Sequence, residues 1–344
     1  MLLAATLLIA TPPQPLPDVD PLLPRIAEAR AFARGAGDRI WPGYGAAPFG
    51  ILVIGAGRET LLCQPAPEGF EDEGREPVTG CARAGRARGD LPDNLLAALP
   101  IFDLPATIVM GTPATTGRAE PDWARTILHE HFHQWQYALP GYFERVGALG
   151  LADGGDGMWM LNFPFPYQDE AVGSAYAAAS NALADALDAR GRDGFAAALD
   201  AYRAARARFA DAAGARNWRY LEFQLWQEGV ARWVEVTLGK AYPDPAVRAA
   251  ATAFENRSLA ALRSPDLARQ RRELVYPYGA GEAMLIEACW PGWRAAYPEA
   301  MALGPLLEAA ARHCAAPREE PGPQSDRPTP DGGEGRHSGA GASD

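Results

Sequence analysis

Long apolar runs and clusters of basic side chains are both missing from this 344-residue sequence. Beyond the first ten residues, no stretch approaches the roughly 20 consecutive apolar residues that a membrane-spanning helix needs, so the sequence predicts no stable membrane span. Acidic side chains outnumber basic ones by 43 to 32, and the net charge is -11. A chain of this charge without a basic patch is poorly suited to nucleic-acid phosphates, so nucleic acid is not an expected partner.

Cysteine is scarce, and none of the four cysteines belongs to a C-x-x-C pair. This spacing argues against a zinc site made of cysteines. An even number of cysteines in an exported chain favours disulfides, and four cysteines allow three connectivities. We expect Cys63–Cys81 and Cys289–Cys314, because each pair is close in sequence and flanks a turn-rich or helix-linking segment. Four buried thiols are the alternative.

The first ten residues, MLLAATLLIA, form a short apolar run that ends in a small residue. The run is too short to cross a bilayer but suits a secretory signal peptide cleaved near Ala10. We expect residues 1–17 to hold this signal and the start of a proline-rich linker (11–24), and the mature protein to be periplasmic or secreted. An uncleaved anchor and a plain N-terminal strand are the alternatives. Residues 317–344 have almost no large apolar side chains, which predicts a disordered tail.

Residues 18–115 are predicted to form a β-rich subdomain after a short helix over 25–34. Apolar and β-branched runs bounded by turn residues are typical of strands, and Ala56-Gly57 supplies a hairpin turn. The segment 65–94, rich in Gly, Pro, Arg and acids, is expected to be mainly loop. The predicted strands are 48–55, 58–64, one near Val78–Ala82, and 106–111.

The composition of the chain changes after residue 115, and residues 116–316 are predicted to form a helical subdomain. Alanine-rich segments with helical periodicity dominate it, and alanine has the highest intrinsic helix propensity. The fold class expected is therefore α+β, with a small antiparallel or mixed sheet followed by a mainly helical part. The predicted helices are 121–139, 169–189, 193–213, 217–239, 246–262, 279–289 and 301–313.

The segment His129-Glu130-His131-Phe132-His133 contains the motif H-E-x-x-H on a predicted helix. A helix turns about 100° per residue, so His129 and His133 lie about 40° apart on one face and can bind one metal ion. Glu130 lies beside them, where it reaches a water on the metal rather than the metal itself. His131 points to the opposite face and is expected to be a core or surface histidine. The motif predicts one Zn²⁺ per chain.

A zinc site of this type needs a third protein ligand and an open fourth position. Glu228 is the favoured candidate, because it lies on a strongly apolar helix where a charge needs a partner, and Gly229 after it allows another element to approach closely. Glu170 is the alternative, although its place near a helix start also has a simple explanation in the helix dipole.

H-E-x-x-H followed by a later E-G-x-A helix resembles the gluzincin clan of metallopeptidases. The segment WQEGVARWVE is similar to the W-x-x-E-G-x-A pattern of its aminopeptidase-like members. The resemblance implies a zincin-like fold, with His129, His133 and Glu228 as metal ligands. It also implies a β-sheet ahead of the motif helix, with 106–111 as its edge strand.

The sequence departs from the clan in three respects. The interval from the motif to Glu228 is long and holds two extra alanine-rich helices. Arg232 stands where some members have an aspartate that orients a histidine, and Glu235 is the residue expected to do this instead. The G-x-M-E-N exopeptidase signature is missing, so aminopeptidase activity in particular is not predicted.

The resemblance implies that Glu130 is the general base of a zinc-dependent peptidase, and a Tyr-Gly pair at a helix start suggests Tyr278 as an oxyanion-stabilising residue. A packed aromatic is the other interpretation of Tyr278. A peptide or protein substrate would add as a strand along Ala106–Gly111, with Thr107 and Met110 beside the cleft. The alternative functions are a zinc-dependent non-peptide hydrolase and a catalytically silent zinc-binding protein.

Overall fold

The structure, a computed structural model, describes residues 19–152 and 157–315. The predictions of a signal peptide and of a disordered tail lie outside these residues. The end of the predicted extended linker is helical instead, because Leu22 and Leu23 are buried against the sheet. A 3₁₀ turn at Asp20–Leu22 leads directly into the first helix.

The fold is α+β, with a mixed sheet in the N-terminal part and helices in the rest of the described chain. The strands are β1 (Ile51–Ile54), β2 (Arg58–Leu62), β3 (Glu71–Glu76), β4 (Cys81–Ala87), β5 (Leu96–Ile101) and β6 (Leu104–Gly111). The helices are α1 (Leu23–Ile40), α2 (Pro113–Thr116), α3 (Glu120–Tyr137), α4 (Tyr142–Ala148), α5 (Trp159–Asn162), α6 (Glu170–Ala189), α7 (Phe195–Ala213), α8 (Ala215–Gln224), α9 (Val230–Lys240), α10 (Pro245–Leu262), α11 (Leu267–Gln270), α12 (Val275–Cys289), α13 (Tyr297–Ala300) and α14 (Gly304–Ala315).

The strand order across the sheet is β3-β4-β2-β1-β6-β5. The predicted β1–β2 hairpin is confirmed and is antiparallel, whereas β1 and β6 pair in parallel. The prediction that 106–111 is an edge strand is wrong, because β5 pairs along its outer side. Phe102 and Asp103 both have positive φ, and this two-residue turn is the type that joins tightly paired antiparallel strands.

Alternating side chains place the sheet between two apolar layers. Ile51 and Val53 face a cluster that includes α1 and the first half of α3. Leu52 and Ile54 face the other side, where the loops around Phe70 and Leu91 cover them. This alternation is what a sheet buried on both faces requires, and it fixes α3 against the sheet.

The loop predicted for 65–94 contains two strands, β3 and β4. The strand expected near Val78–Ala82 begins only at Cys81, because the Glu76 carboxylate accepts the N–H groups of Val78 and Thr79 and closes a turn there. The longer helices lie close to their predicted bounds. The exceptions are α1 and α12, which extend beyond 25–34 and 279–289.

Both expected disulfides are present, with Cα–Cα distances of 4.8 Å for Cys63–Cys81 and 4.9 Å for Cys289–Cys314. The first joins the end of the β1–β2 hairpin to the start of β4, and the second ties α12 to α14. Among the described residues, no helix has both the length and the apolar character that crossing a membrane would take.

Candidate metal centre

The motif helix α3 lies between the sheet and the helical part. Pro121 and Asp122 occupy its first turn, where a fixed φ and a negative charge favour a helix start. It contacts β5 and β6 on one side and α9 and α10 on another, so every residue from Trp123 to Gln136 is buried. His129 and His133 are each 5% exposed.

The structure brings His129, His133 and Glu228 together as a group that could bind a metal. The two histidine Nε2 atoms are 3.1 Å apart. Oε2 of Glu228 lies 3.6 Å from Nε2 of His129 and 3.3 Å from Nε2 of His133. Tetrahedral zinc bonds of about 2.0–2.1 Å would place ligand atoms about 3.3 Å from one another. The three atoms therefore fit a single divalent ion.

Glu228 reaches this position from a π-helical turn, Leu225–Gly229, that joins α8 to α9. The sequence predicted one regular helix here, and a π turn inside a longer helix is frequently found at functional sites. Gly229 packs directly on Gly279 of α12: a Cβ built on Gly229 would lie 2.5 Å from the Gly279 Cα. The close approach expected at Gly229 is therefore present. This backbone contact sets the position of the Glu228 main chain relative to α12.

Charge pairing keeps the Glu228 carboxylate ionised. Burial alone would raise its pKa, but His133, His129 and Arg272 outweigh burial and hold the pKa well below its ordinary value. Burial likewise disfavours the charged form of His129, yet Glu228 and Glu235 raise its pKa to about 9. The protonated His129 ring thus supplies the positive charge beside these carboxylates, and binding of a metal ion would release the proton.

Glu235 lies behind His129, where the sequence predicts a carboxylate that orients this ring. Its Oε2 lies 3.1 Å from Nδ1 of His129, while Nε2 of the same ring faces His133 and Glu228. Arg125, which is fully buried, donates to Oε1 of Glu235, and Nε of Arg232 lies 2.9 Å from Oε2. A carboxylate behind a ligand histidine fixes its tautomer and raises its basicity.

His133 is oriented by amides that sequence reasoning missed. Oε1 of Gln136 lies 2.6 Å from Nδ1 of His133, while Nε2 of Gln136 donates to the Gln227 carbonyl and to the Tyr297 hydroxyl. These acceptors fix the Gln136 amide, so its Oε1 faces Nδ1 of His133, and Nε2 of Gln227 lies 3.2 Å from the same nitrogen. A ring that donates from Nδ1 to Gln136 presents the lone pair of Nε2 to a metal. The available signal was a polar side chain in the last, fully buried turns of α3.

Glu130 is 5% exposed, and no described residue forms a hydrogen bond or an ion pair with it. Its pKa is raised, chiefly by burial, with an opposing effect from His129 and His133. A buried carboxylate with a raised pKa and no fixed partner is able to accept and return a proton.

Arg272 and Tyr276 border the site from the α12 side, and neither was predicted. Arg272 donates to Oε1 of Glu228 at 2.7 Å and to the Tyr276 hydroxyl at 3.1 Å. The Tyr276 ring lies 6.1 Å from the His129 ring, centroid to centroid. Burial and the Glu228 carboxylate raise the Tyr276 pKa, so the phenol keeps its proton.

The structure does not bring Tyr278 to the triad. It is fully buried and contacts the rings of Tyr176, Tyr202 and Phe209. Tyr276 and Tyr278 are two residues apart on one helix and so face directions about 160° apart, which explains why only Tyr276 reaches His129.

Two further candidates lie away from the triad. Glu170 is exposed at the first position of α6 and does not join it. His131 is a core histidine, with Nδ1 2.8 Å from Oε1 of Gln134 and Nε2 3.2 Å from the Tyr44 carbonyl. Burial lowers its pKa to about 4, so it is neutral at physiological pH.

No family model, no curated protein and no solved structure matches this chain. The short motifs and the geometry of the site are therefore what support a function.

Proposed function

We propose that the chain is a zinc-dependent metallopeptidase with a gluzincin-like ligand set. The observation that carries the proposal is the convergence of the His129, His133 and Glu228 ligand atoms beside Glu130, a buried carboxylate that has no partner among the described residues. Two imidazoles, one carboxylate and an open fourth position are the donor set of catalytic zinc. When bound, zinc supplies Lewis acidity and lowers the pKa of water at the open position to about 7.

Glu130 is the general base in this proposal. Its raised pKa places it nearer neutrality, where proton transfer in both directions is efficient. It accepts a proton from the attacking water and delivers it to the leaving amine, and a partner holding the carboxylate in a fixed salt bridge would obstruct both transfers.

Tyr276 takes the oxyanion-stabilising role that the sequence suggested for Tyr278. Arg272 donates to the Tyr276 oxygen, which leaves the phenolic O–H free to donate to a substrate oxygen. Such a donor, aimed at the developing negative charge, stabilises the transition state.

The substrate is proposed to be an extended peptide. Thr107 and Met110 are buried in the interior strand β6, so they cannot border a cleft as expected. The free edge of the sheet next to α3 is β5. Backbone hydrogen bonds to this strand would bind a peptide with little dependence on the peptide's sequence.

Both disulfides favour an oxidising compartment. We propose on this ground that the protein acts outside the cytoplasm, in the periplasm or after secretion.

The test combines metal analysis with hydrolysis of casein and of quenched fluorescent peptides. We expect about one zinc per chain, cleavage that a chelator abolishes and zinc restores, and a loss of roughly 10²–10⁴-fold in Glu130→Gln with zinc still bound. Glu120→Gln is the matched control, because it makes the same change at an exposed position of the same helix.

Cleavage that survives both the chelator and Glu130→Gln would rule out the mechanism. Zinc binding without cleavage of any peptide would favour one of the alternatives. Chelator-sensitive hydrolysis of esters or small amides then indicates a non-peptide hydrolase, and no turnover at all indicates a silent zinc-binding protein.

A further inference from the structure

A cavity of about 250 Å³ lies between the C-terminal half of α3 and the β5–β6 hairpin. Its lining is largely apolar, with side chains from both elements and from the segments beside them. Pro48, Pro100, Leu104, Ala106, Tyr137 and Phe143 contribute most of this lining. Phe143 is 57% exposed and stacks on Tyr137 with ring centroids 5.6 Å apart, which forms an aromatic rim.

The cavity has little to offer a polar ligand. Gln134 also lines it, but Nε2 of Gln134 already donates to the carbonyls of Gly50 and Ala106 at 2.8 Å each. Its Oε1 is 2.8 Å from Nδ1 of His131. No charged side chain lines the cavity, so the group that fits there is apolar.

Helix geometry places the cavity next to the proposed general base. Gln134 and Tyr137 follow Glu130 by four and seven residues, so they lie within about 40° of it around the axis of α3. At 1.5 Å per residue, they lie about 6–10 Å further along that axis. The carboxylates of Glu228 and Glu130 also contribute to a raised Tyr137 pKa, which agrees with this proximity. An extended chain covers about 3.3 Å per residue, so the cavity is about two to three residues from the reacting bond.

We propose that this cavity binds an aromatic or large aliphatic side chain of the peptide substrate, within four residues of the cleaved bond. An engineered apolar cavity of about 150 Å³ accepts benzene, so 250 Å³ accommodates a phenyl or branched aliphatic group. The inference rests on the proposed peptidase function and adds a preference at one substrate position.

The test uses quenched peptides in which one Phe is moved through the four positions on each side of the cleaved bond, in an alanine background. We expect kcat/KM to rise at least about tenfold at one position, since a hydrophobic pocket discriminates by roughly 10–200-fold per methylene. Ala138→Phe fills the cavity from an exposed lining position. It should reduce the ratio of kcat/KM for the Phe peptide to that for the alanine peptide to about 1.

Ala260→Phe is the matched control, because it makes the same change at an exposed alanine in a separate groove between α6 and α10. Its Phe-to-Ala ratio should equal that of the wild type. Cleavage without a Phe preference, or a preference that survives Ala138→Phe, would overturn the pocket and leave the peptidase function standing.

If the wild-type protein cleaves none of these peptides, the hydrolysis proposal fails, and the pocket is tested separately. Peptide binding to the zinc-loaded Glu130→Gln variant is then measured by fluorescence anisotropy. Tighter binding of the Phe peptide that is lost in the Ala138→Phe background would support the pocket. Equal binding of the Phe and alanine peptides, or no binding of either, would refute the pocket.

Discussion

Two clusters of buried charge lie in the helical part of the molecule, and one of them is complete without a ligand. Arg206 lies between Glu222, at 2.8 Å, and Glu282, at 2.5 Å. The second oxygen of Glu222 accepts the N–H groups of Leu303 and Gly304 at the start of α14. Tyr202 donates to Glu282. Nearly every acceptor in this cluster has a protein donor.

The candidate metal centre is also largely buried, but its acceptors converge on one another. Nε2 of His129, Nε2 of His133 and Oε2 of Glu228 all lie within 3.6 Å of each other. Glu130 beside them has no partner among the described residues. Buried charge is therefore not what distinguishes a functional site here, since both clusters have it. What distinguishes the candidate metal centre is that three potential metal-ligating atoms lie within 3.6 Å of one another.

The largest expected effect is the loss of metal from Glu228→Ala. If three ligands share a zinc binding free energy of about 10–16 kcal/mol, losing one should weaken binding by roughly a thousandfold. Glu170→Ala is the control and should keep about one zinc per chain, because Glu170 is exposed away from the triad. Competition against a fluorescent chelator gives both affinities. Loss of zinc from Glu170→Ala alone would reverse the assignment of the third ligand.

The next effect falls on stability, in the other cluster. Arg206→Met leaves the buried Glu222 and Glu282 without their shared cation and should lower the free energy of unfolding by about 3–5 kcal/mol. Zinc content should stay at the wild-type value. Urea unfolding and metal analysis of the same preparation measure both properties. Loss of zinc from Arg206→Met without loss of stability would contradict the distinction between the two clusters.

A smaller effect on the metal is expected from Glu235→Gln, which weakens the support of His129 without removing a ligand. Loss of such a partner typically reduces metal affinity by about 10–100-fold. Glu222→Gln is the matched control from the other cluster and should leave affinity unchanged. Equal zinc affinities in the two variants would mean that Glu235 serves only to pair Arg125 and Arg232.

The smallest effect is the contribution of Glu222 to the pH dependence of stability. Burial would raise the Glu222 pKa, but Arg206 and the N–H groups of Gly304 and Leu303 lower it below the ordinary 4.5. The unfolded chain then binds more protons, so this stabilisation is present above pH 4.5 and is lost as the pH falls through the folded-state pKa. Glu222→Gln should flatten the fall in unfolding free energy over this range, as urea titrations at several pH values would show. An unchanged slope would contradict the shift.

The motif was predictable because the spacing of its histidines agrees with the predicted helix. His129 and His133 fall on one face of any α-helix, and Pro121 with Asp122 fixes where this helix begins. Glu228 was predictable as a charge on an apolar helix. The alternation of Ile51 to Ile54 likewise indicated a strand, and the short separations of the cysteines indicated their pairing.

Other features depend on contacts that no local pattern encodes. The strand β3 is almost entirely polar and exposed, and β5 holds two alanines and Pro100, so neither has the apolar alternation of a typical strand. Missing β5 led to the error about the edge strand. Arg272 lies 44 residues beyond Glu228, and nothing near it in sequence indicates a shared site. The choice of Tyr276 over Tyr278 depends on the direction in which α12 begins.

The contact between Gly229 and Gly279 also sets the opening of the site. Glu228 and Tyr276 project from the two helices that meet there, and no side chain separates those helices at the crossing. Direct backbone contact therefore sets the distance between the two main-chain segments that carry Glu228 and Tyr276. A methyl group added at either glycine would force the two backbones apart and would shift Glu228 and Tyr276 together.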